Sequence, residues 1–232
     1  MPAASPVILI LGAGANVGQH VAKSFASKGY KVALTARRAK EAENTADQVN
    51  IQSDLTDPTS VINVFSKVKT LLGAPPSVVV YNAGAVTPND PKNPLSLPLT
   101  DFTRDFNINT TSAFVAAQQA VLAFEQLPES ASKTFIYTGN ITNEIPLAPL
   151  LDLGVGKSAT AHIIQSAAAA YKDKGFKFYY GDERTADGAA VYRDIDGEAH
   201  GKFYLELAEG KVQGPWQQTF VKGVGYKKFP RA

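Results

Sequence analysis

The stretch Val7-Ile8-Leu9-Ile10-Leu11-Gly12-Ala13-Gly14-Ala15-Asn16-Val17-Gly18 runs from an apolar segment into a glycine-bearing turn, and Gln19 to Lys28 continues with helical spacing. A strand feeding a glycine turn that opens a helix leaves unpaired backbone N–H groups, and the positive end of a helix dipole, where a pyrophosphate can sit. Side chains in the turn would block both the tight bend and the close approach of a phosphate. A glycine pattern alone says little, but this one stands in the strand-turn-helix context that its chemistry requires. The reading is a dinucleotide site; a plain strand-to-helix connection is the alternative.

Composition narrows the classes. The chain has 232 residues, 44% hydrophobic and 19% charged, with a net charge of +2. That suits one α/β domain with a sizeable core and favours no highly charged partner, so neither nucleic acid nor membrane is expected. Lys222, Lys227, Lys228 and Arg231 gather near the C-terminus, as a solvated tail or a phosphate contact. The absence of cysteine removes disulfides, thiolate metal sites and a cysteine nucleophile, and fits a cytoplasmic setting. The N-terminal apolar run is too short to span a membrane.

Apolar runs alternate with helical stretches, which predicts a Rossmann-type, doubly wound α/β fold: seven mostly parallel strands with helices on both faces. The strands are read at Val7–Leu11, Lys31–Thr35, Val49–Gln52, Ser77–Tyr81, Lys133–Thr138, Lys177–Tyr180 and Gln217–Lys222. A charged helix is expected from Ala39 to Gln48, and a helix from Asp57 to Leu72 with Asp57 as its cap and Pro58 at its first position. Leu99–Gln126, Gly154–Lys174 and Gly197–Ala208 read as further helices, and Ala85–Pro98 as a loop. The ligand crevice is then expected at the carboxyl ends of strands one and four, where strand order reverses. Gly12 to Gly18 and Asn82 to Gly84 both fall there.

These residues resemble the short-chain dehydrogenase/reductase family over nearly the whole chain. Leu11 to Gly18 resembles its TGxxxGxG cofactor loop, with Gly12 and Gly18 at glycine positions, Gly14 and Val17 at free ones and Asn16 in place of the middle glycine. Asparagine tolerates a left-handed backbone, so the turn is expected to persist. Tyr81-Asn82-Ala83-Gly84 resembles the element that ends strand four and lines the cofactor, and Asp54-Leu55 the pair that contacts adenine. Asp54 is alternatively a turn cap. Asn109 stands where the family has a helix-bending asparagine, or is a buried polar residue bonding its own backbone. The resemblance implies one domain over residues 1–232, with 1–150 as the cofactor half and 151–232 bearing the active-site helix and a substrate-covering segment.

Cofactor choice follows from charge. A carboxylate at the end of the second strand would bind the 2′-hydroxyl of NAD(H), whereas Thr35-Ala36-Arg37-Arg38 offers two guanidiniums and no acid, which favours the phosphate of NADP(H).

The family's catalysis uses a tyrosine four residues before a lysine, so that both reach the cofactor from one helix face. Lys157 is in place, but Leu153 holds the tyrosine position and Asn140 the serine position. Asp152 and Tyr180, with Tyr179, are the candidate substitutes for the missing proton donor; a helix cap and wall residues are their simpler readings. Gly156-Lys157-Ser158 is not a phosphate loop, since Leu151 stands where the first glycine is required. His20, His162 and His200 show no metal-ligand spacing and read as surface or packing residues, so no metal is expected. Tyr180 to Gly188 departs from the family and is expected as an irregular segment over the nicotinamide, with Arg184 holding an anion or a surface ion pair with Asp182 or Asp187.

The implied function is an NADP(H)-dependent oxidoreductase with an altered site, acting on a small molecule such as an iminium or an activated alkene or carbonyl. The alternatives are a catalytically inactive NADP(H)-binding protein and a non-redox lyase or isomerase. Alanine-rich Thr110–Ala123 and Ser158–Ala170 leave no broad polar face, and by resemblance imply a homodimer or homotetramer.

Overall fold

The computed structural model describes residues 5–230, and Arg231 of the basic C-terminal group lies outside them. Strand β1 (Val7–Leu11) is buried throughout, as an apolar run without polar alternation must be in a sheet covered on both faces. Helix α1 (Val17–Ala26), β2 (Lys31–Ala36), β3 (Gln48–Gln52), α2 (Ser60–Leu72) and β4 (Val78–Tyr81) follow. Helices α3 (Leu99–Phe106) and α4 (Ser112–Phe124) are joined by a π-helical turn, Asn107–Thr111. Strand β5 (Thr134–Thr138), α5 (Leu151–Ala170), β6 (Lys177–Arg184), α6 (Gly197–Glu209), β7 (Gln217–Val221) and β8 (Gly225–Tyr226) complete the chain.

The sheet order is β3-β2-β1-β4-β5-β6-β7-β8, parallel except for the last pair. Successive residues of β1 feed opposite layers, as the strand period of two demands. Leu9 packs with Val64, Phe124 and Phe135 on one face, while Ile8 and Ile10 pack with Phe25, Phe203 and Phe220 on the other. Strand order reverses between β1 and β4, and the crevice opens at their carboxyl ends.

Several local expectations are corrected. The sheet has eight strands rather than seven, because Gly223 and Gly225, at φ of +74° and +88°, turn the chain back after β7 to pair antiparallel. The helix expected over Ala39–Gln48 is one turn, Glu41–Glu43. That stretch has no apolar stripe to bury, and the side chains of Asn44 and Thr45 bond the backbone of Asn50 and Gln48 instead. Asp57 does cap, accepting from Thr59 N at 2.9 Å, but the regular helix starts only at Ser60. Helix α5 begins a turn early, at Leu151, and ends at Ala170. Strand β6 runs four residues further than expected: Gly181 to Arg184 are buried and pair with β7. Polar residues tolerate this burial because Arg184 bonds Asp182 at 2.6 Å and Glu144 at 3.0 Å, an ion pair that is buried rather than on the surface. In the basic C-terminal group, Lys222 is likewise paired, with Asp196.

Candidate functional site

Two glycine-bearing turns meet at the crevice floor. Gly12 has a φ of +94°, and a Cβ there would lie 2.6 Å from Ala83 N, so only glycine fits. The Asn82 side chain donates to the Gly12 carbonyl at 2.9 Å and ties the turns together. At Gly18 a Cβ would strike Ala13 Cα at 2.7 Å; this residue lets α1 press against the turn and lies outside the cleft wall. Helix α1 has no side-chain cap; the Gln19 N–H bonds the Gly14 carbonyl at 3.1 Å, and Val17, the first helical residue, stands in the cleft wall. A Cβ at Gly14 would meet open space. A bare helix N-terminus above a glycine turn suits an anionic pyrophosphate.

The cleft has two chambers that share Gly14, Asn82 and Gly84. The first, of about 760 Å³, is walled by Arg37, Asp54, Leu55 and Ala83 among others. Hydrogen bonds from Thr56 hold the Asp54 carboxyl below the usual carboxylate range, so this residue is both a turn cap and a wall. Arg38 is exposed and lies outside both walls, which leaves Arg37 as the guanidinium at the end of β2 that faces the chamber.

The second chamber, of about 510 Å³, has Lys157, Asn140 and Leu153 in its wall with Asn16, Val17 and the apolar Ile141, Leu147 and Val191. Lys157 Nζ donates to the Thr138 carbonyl at 2.8 Å and lies 4.4 Å from the centre of the Tyr137 ring. Burial brings its ammonium down to about 7, against the attraction of Asp182. The Asn140 Oδ1 accepts from Thr142 N at 3.0 Å and Oγ1 at 2.6 Å, so the amide is oriented by its own loop.

Beneath the chamber a column of tyrosines crosses three strands. Tyr81, Tyr137 and Tyr180 share one register and stack at 5.7 and 5.6 Å. Their hydroxyls donate to the carbonyls of Ile108, Asn109 and Asn140, respectively. Burial raises all three phenols, which unsuits them as acids. Tyr180 is thus no proton donor to the cleft: it lies outside both walls and clamps the Asn140 backbone, accepting from its N–H at 3.1 Å. Tyr179 is occupied at Val212 and Gly214.

Asp152 also misses the cleft. Its Oδ2 accepts from Thr87 N at 2.8 Å; Thr87 Oγ1 donates to buried Asp105, which pairs with exposed Arg104 at 2.9 Å. Burial and the neighbouring Asp105 raise its pKa. Asn109 does not bond its own turn: its amide exchanges hydrogen bonds of 2.9 and 2.7 Å with Ala85, in the first chamber's wall. The π-helical turn around it swings its carbonyl to Tyr137 and Thr160.

Asn16 is not left-handed, since its φ is −88°. Its side chain instead donates to Ile195 O at 2.8 Å and accepts from Gly197 N at 3.0 Å. The sequence reading also missed Glu183, Tyr192 and His200, all in the second chamber's wall. His200 is 2% exposed, so it is no surface residue: it packs edge-on against Tyr204 and Phe220 and also stands in the chamber's wall. The usable signal was Asp196-Gly197-Glu198-Ala199-His200, in which an N-cap residue fixes the histidine one turn into α6.

The sequence profile of the short chain dehydrogenase family matches residues 6–180. A short chain dehydrogenase/reductase, dmxR12, of Cryptosporiopsis sp. is 52% identical, with 97% of this chain and 96% of the relative covered. A versicolorin reductase of Emericella nidulans is 28% identical over 49% of this chain and 45% of the relative. Among solved structures, a short-chain dehydrogenase/reductase from Serratia marcescens has a TM-score of 0.75 at 21% identity, covering 94% of this chain and 96% of that one. BdcA in complex with NADPH has a TM-score of 0.72 at 20% identity, covering 97% and 96%.

Proposed function

The chain belongs to the short-chain dehydrogenase family, and from that premise we propose that it is an NADP(H)-dependent oxidoreductase with an altered catalytic site. The observation that carries the cofactor reading is the pairing of a bare α1 N-terminus with Arg37, and no acid, at the end of β2. The turn at Gly12 and Gly14, with Val17, would receive the pyrophosphate. Arg37 would grip the 2′-phosphate. Asp54 and Leu55 would wall the adenine, and Asn82, Ala83 and Gly84 would carry the cofactor between the chambers. Structural neighbours are held with either nucleotide, BdcA with NADPH and a 3-oxoacyl-(acyl-carrier protein) reductase of Brucella melitensis with NAD, so the choice of NADP(H) rests on Arg37.

The bound nicotinamide supplies a hydride. The chain's own residues position and exclude: Lys157 would hold ribose hydroxyls, the Asn140 amide would face the group being reduced, and Ile141, Leu147, Leu150 and Leu153 would keep water from it. Leu153 cannot give a proton, so the favoured substrates are those that need little acid help, an iminium or an activated alkene or carbonyl. A small-molecule substrate suits the size of the second chamber. Exposed Phe114, Leu122 and Val155 on α4 and α5 support a homodimer or homotetramer.

Protein fluorescence on titration with NADPH and NADH tests the reading, followed by a screen for NADPH oxidation over ketones, imines and enones. Tighter binding of NADH sinks the cofactor choice. Binding without turnover on every class favours the catalytically inactive alternative, for which Leu153 is the supporting observation.

A further inference from the structure

Four titratable side chains stand in the wall of the second chamber: Lys157, Glu183, Tyr192 and His200. Tyr192 is 66% exposed and faces bulk water as much as any substrate, and Lys157, which bonds the Thr138 carbonyl, is the residue assigned above to the ribose hydroxyls. His200 differs from both. Asp196 caps α6 by accepting from Ala199 N at 2.8 Å, and its carbonyl faces His200 Nδ1 at 2.8 Å. A carbonyl only accepts, so Nδ1 carries hydrogen in both charge states and Nε2 is the nitrogen left to exchange a proton. Among the described residues Nε2 has no protein hydrogen-bond partner. The ring is held edge-on by Tyr204 and Phe220, with centroids at 5.4 and 5.0 Å.

We propose that His200 is the catalytic residue that exchanges the substrate proton in this chamber, and that Glu183 is the positioning residue behind it. The proposal rests on the oxidoreductase reading above. Glu183 Oε2 lies 3.5 Å from His200 Nδ1 and is pinned by the Asp196 N–H at 2.9 Å. Placed on β6, the carboxylate supports a positive imidazolium without taking its proton. The other carboxylate acting on the ring is that of Asp196, which is paired with Lys222 at 2.5 Å and raises the imidazole pKa against the effect of burial.

In reduction, the substrate carbon accepts a hydride, with its two electrons, from the reduced nicotinamide. The π pair of the C=X bond moves onto X, which takes the proton from His200 Nε2. The imidazolium becomes the neutral Nδ1–H form and regains its proton from solvent; the nicotinamide is left oxidised. Oxidation of an alcohol runs the same exchange backwards, with Nε2 as base. Burial lowers the His200 pKa below its ordinary value, which makes the imidazolium a strong donor and leaves the neutral form available at neutral pH.

Long-range proton–nitrogen NMR spectra of the ligand-free protein test the pair directly. The expected result is an Nδ1–H tautomer that titrates below the ordinary histidine midpoint, and further down still in Glu183→Gln. An Nε2–H tautomer, or a ring that stays neutral until the protein unfolds, overturns the proposal; a midpoint unmoved by Glu183→Gln overturns the role of Glu183. NADPH binding and NADPH-dependent reduction of phenanthrenequinone are then compared for wild type, His200→Gln and His200→Phe, the last keeping the aromatic packing. Both variants are expected to bind NADPH as wild type does while losing roughly 10²-fold or more in kcat. Wild-type kcat in both variants, or a wild type that binds NADPH and does not reduce the quinone, overturns the proton role. Failure of the wild type to bind NADPH instead overturns the cofactor reading, and the NMR titration decides His200 by itself.

Discussion

Asn16 and Gly197 are locked together across 181 residues of sequence: the asparagine Oδ1 accepts from the Gly197 N–H at 3.0 Å, and a Cβ on Gly197 would lie 2.4 Å from that oxygen. With the bond from Asn16 Nδ2 to Ile195 O, the turn that opens α1 and the segment that opens α6 form one unit. The residue that breaks the family's glycine pattern therefore has a structural task. It fixes the wall that carries Ile195 and His200 to the turn expected to hold the pyrophosphate.

Replacing Asn16 with alanine removes both bonds. Two partly exposed hydrogen bonds are together worth about 1–2 kcal/mol, so a fall in Tm of several degrees is expected. Hydrogen exchange should accelerate at residues 190–197 while β4 and β5 stay protected. Unchanged exchange there would show that the segment is held by its own packing.

Arg37 gives a cofactor prediction of defined sign. Arg37→Ala removes a charge-assisted contact to the 2′-phosphate and should weaken NADPH binding roughly 10–100-fold while leaving NADH within about twofold. Equal losses for both nucleotides in fluorescence titrations would show that the guanidinium does not read the phosphate. Arg38→Ala, outside the cleft wall, serves as the control.

The fold was legible because it follows from local patterns. The fully apolar β1 and the spacing of Val61, Val64, Phe65 and Val68 on α2 each specify an element and the face it buries. The cofactor half of the site was legible for the same reason, since the turn from Gly12 and the end of β4 are contiguous in sequence. The rest depended on partners far away in the chain. Gly181 to Arg184 read as polar loop because burial of Asp182 and Arg184 becomes tolerable only once the two pair with each other and with Glu144. Asp152 looked like a proton donor because it adjoins Leu153, and Tyr180 because it ends a strand near the cleft mouth, yet their side chains bond Thr87 and the Asn140 backbone. His200 was passed over because its partners, Glu183 and Phe220, come from two other elements.

Asp182 makes stability depend on pH. Burial raises its carboxyl to about 6 against the opposing contacts with Arg184. A carboxyl whose folded pKa exceeds its unfolded value binds its proton more tightly when folded, so its contribution is fully present below about pH 4 and is lost as pH rises through 6. Denaturant unfolding of wild type and Asp182→Asn should thus show the wild type losing stability relative to the variant between about pH 4 and 6, and a constant difference above 7. A gap that does not change through that window would mean that Arg184 holds the carboxylate ionised throughout.

Leu153 offers the reciprocal of the His200 experiment. It lies one helical turn before Lys157 on α5, and both residues are in the second chamber's wall. In Leu153→Tyr a phenol therefore enters the chamber beside an ammonium, whose charge lowers the phenol pKa and makes it a better acid. The expected outcome is a rise in kcat for NADPH-dependent reduction of phenanthrenequinone of roughly 10-fold or more, with NADPH affinity unchanged. The same tyrosine should restore turnover to His200→Gln, because it delivers a proton without the imidazole. In that double variant the pH profile of kcat should follow the phenol and lose the histidine limb. A folded Leu153→Tyr that binds NADPH without gaining turnover, in either background, would place the limiting step elsewhere than proton delivery.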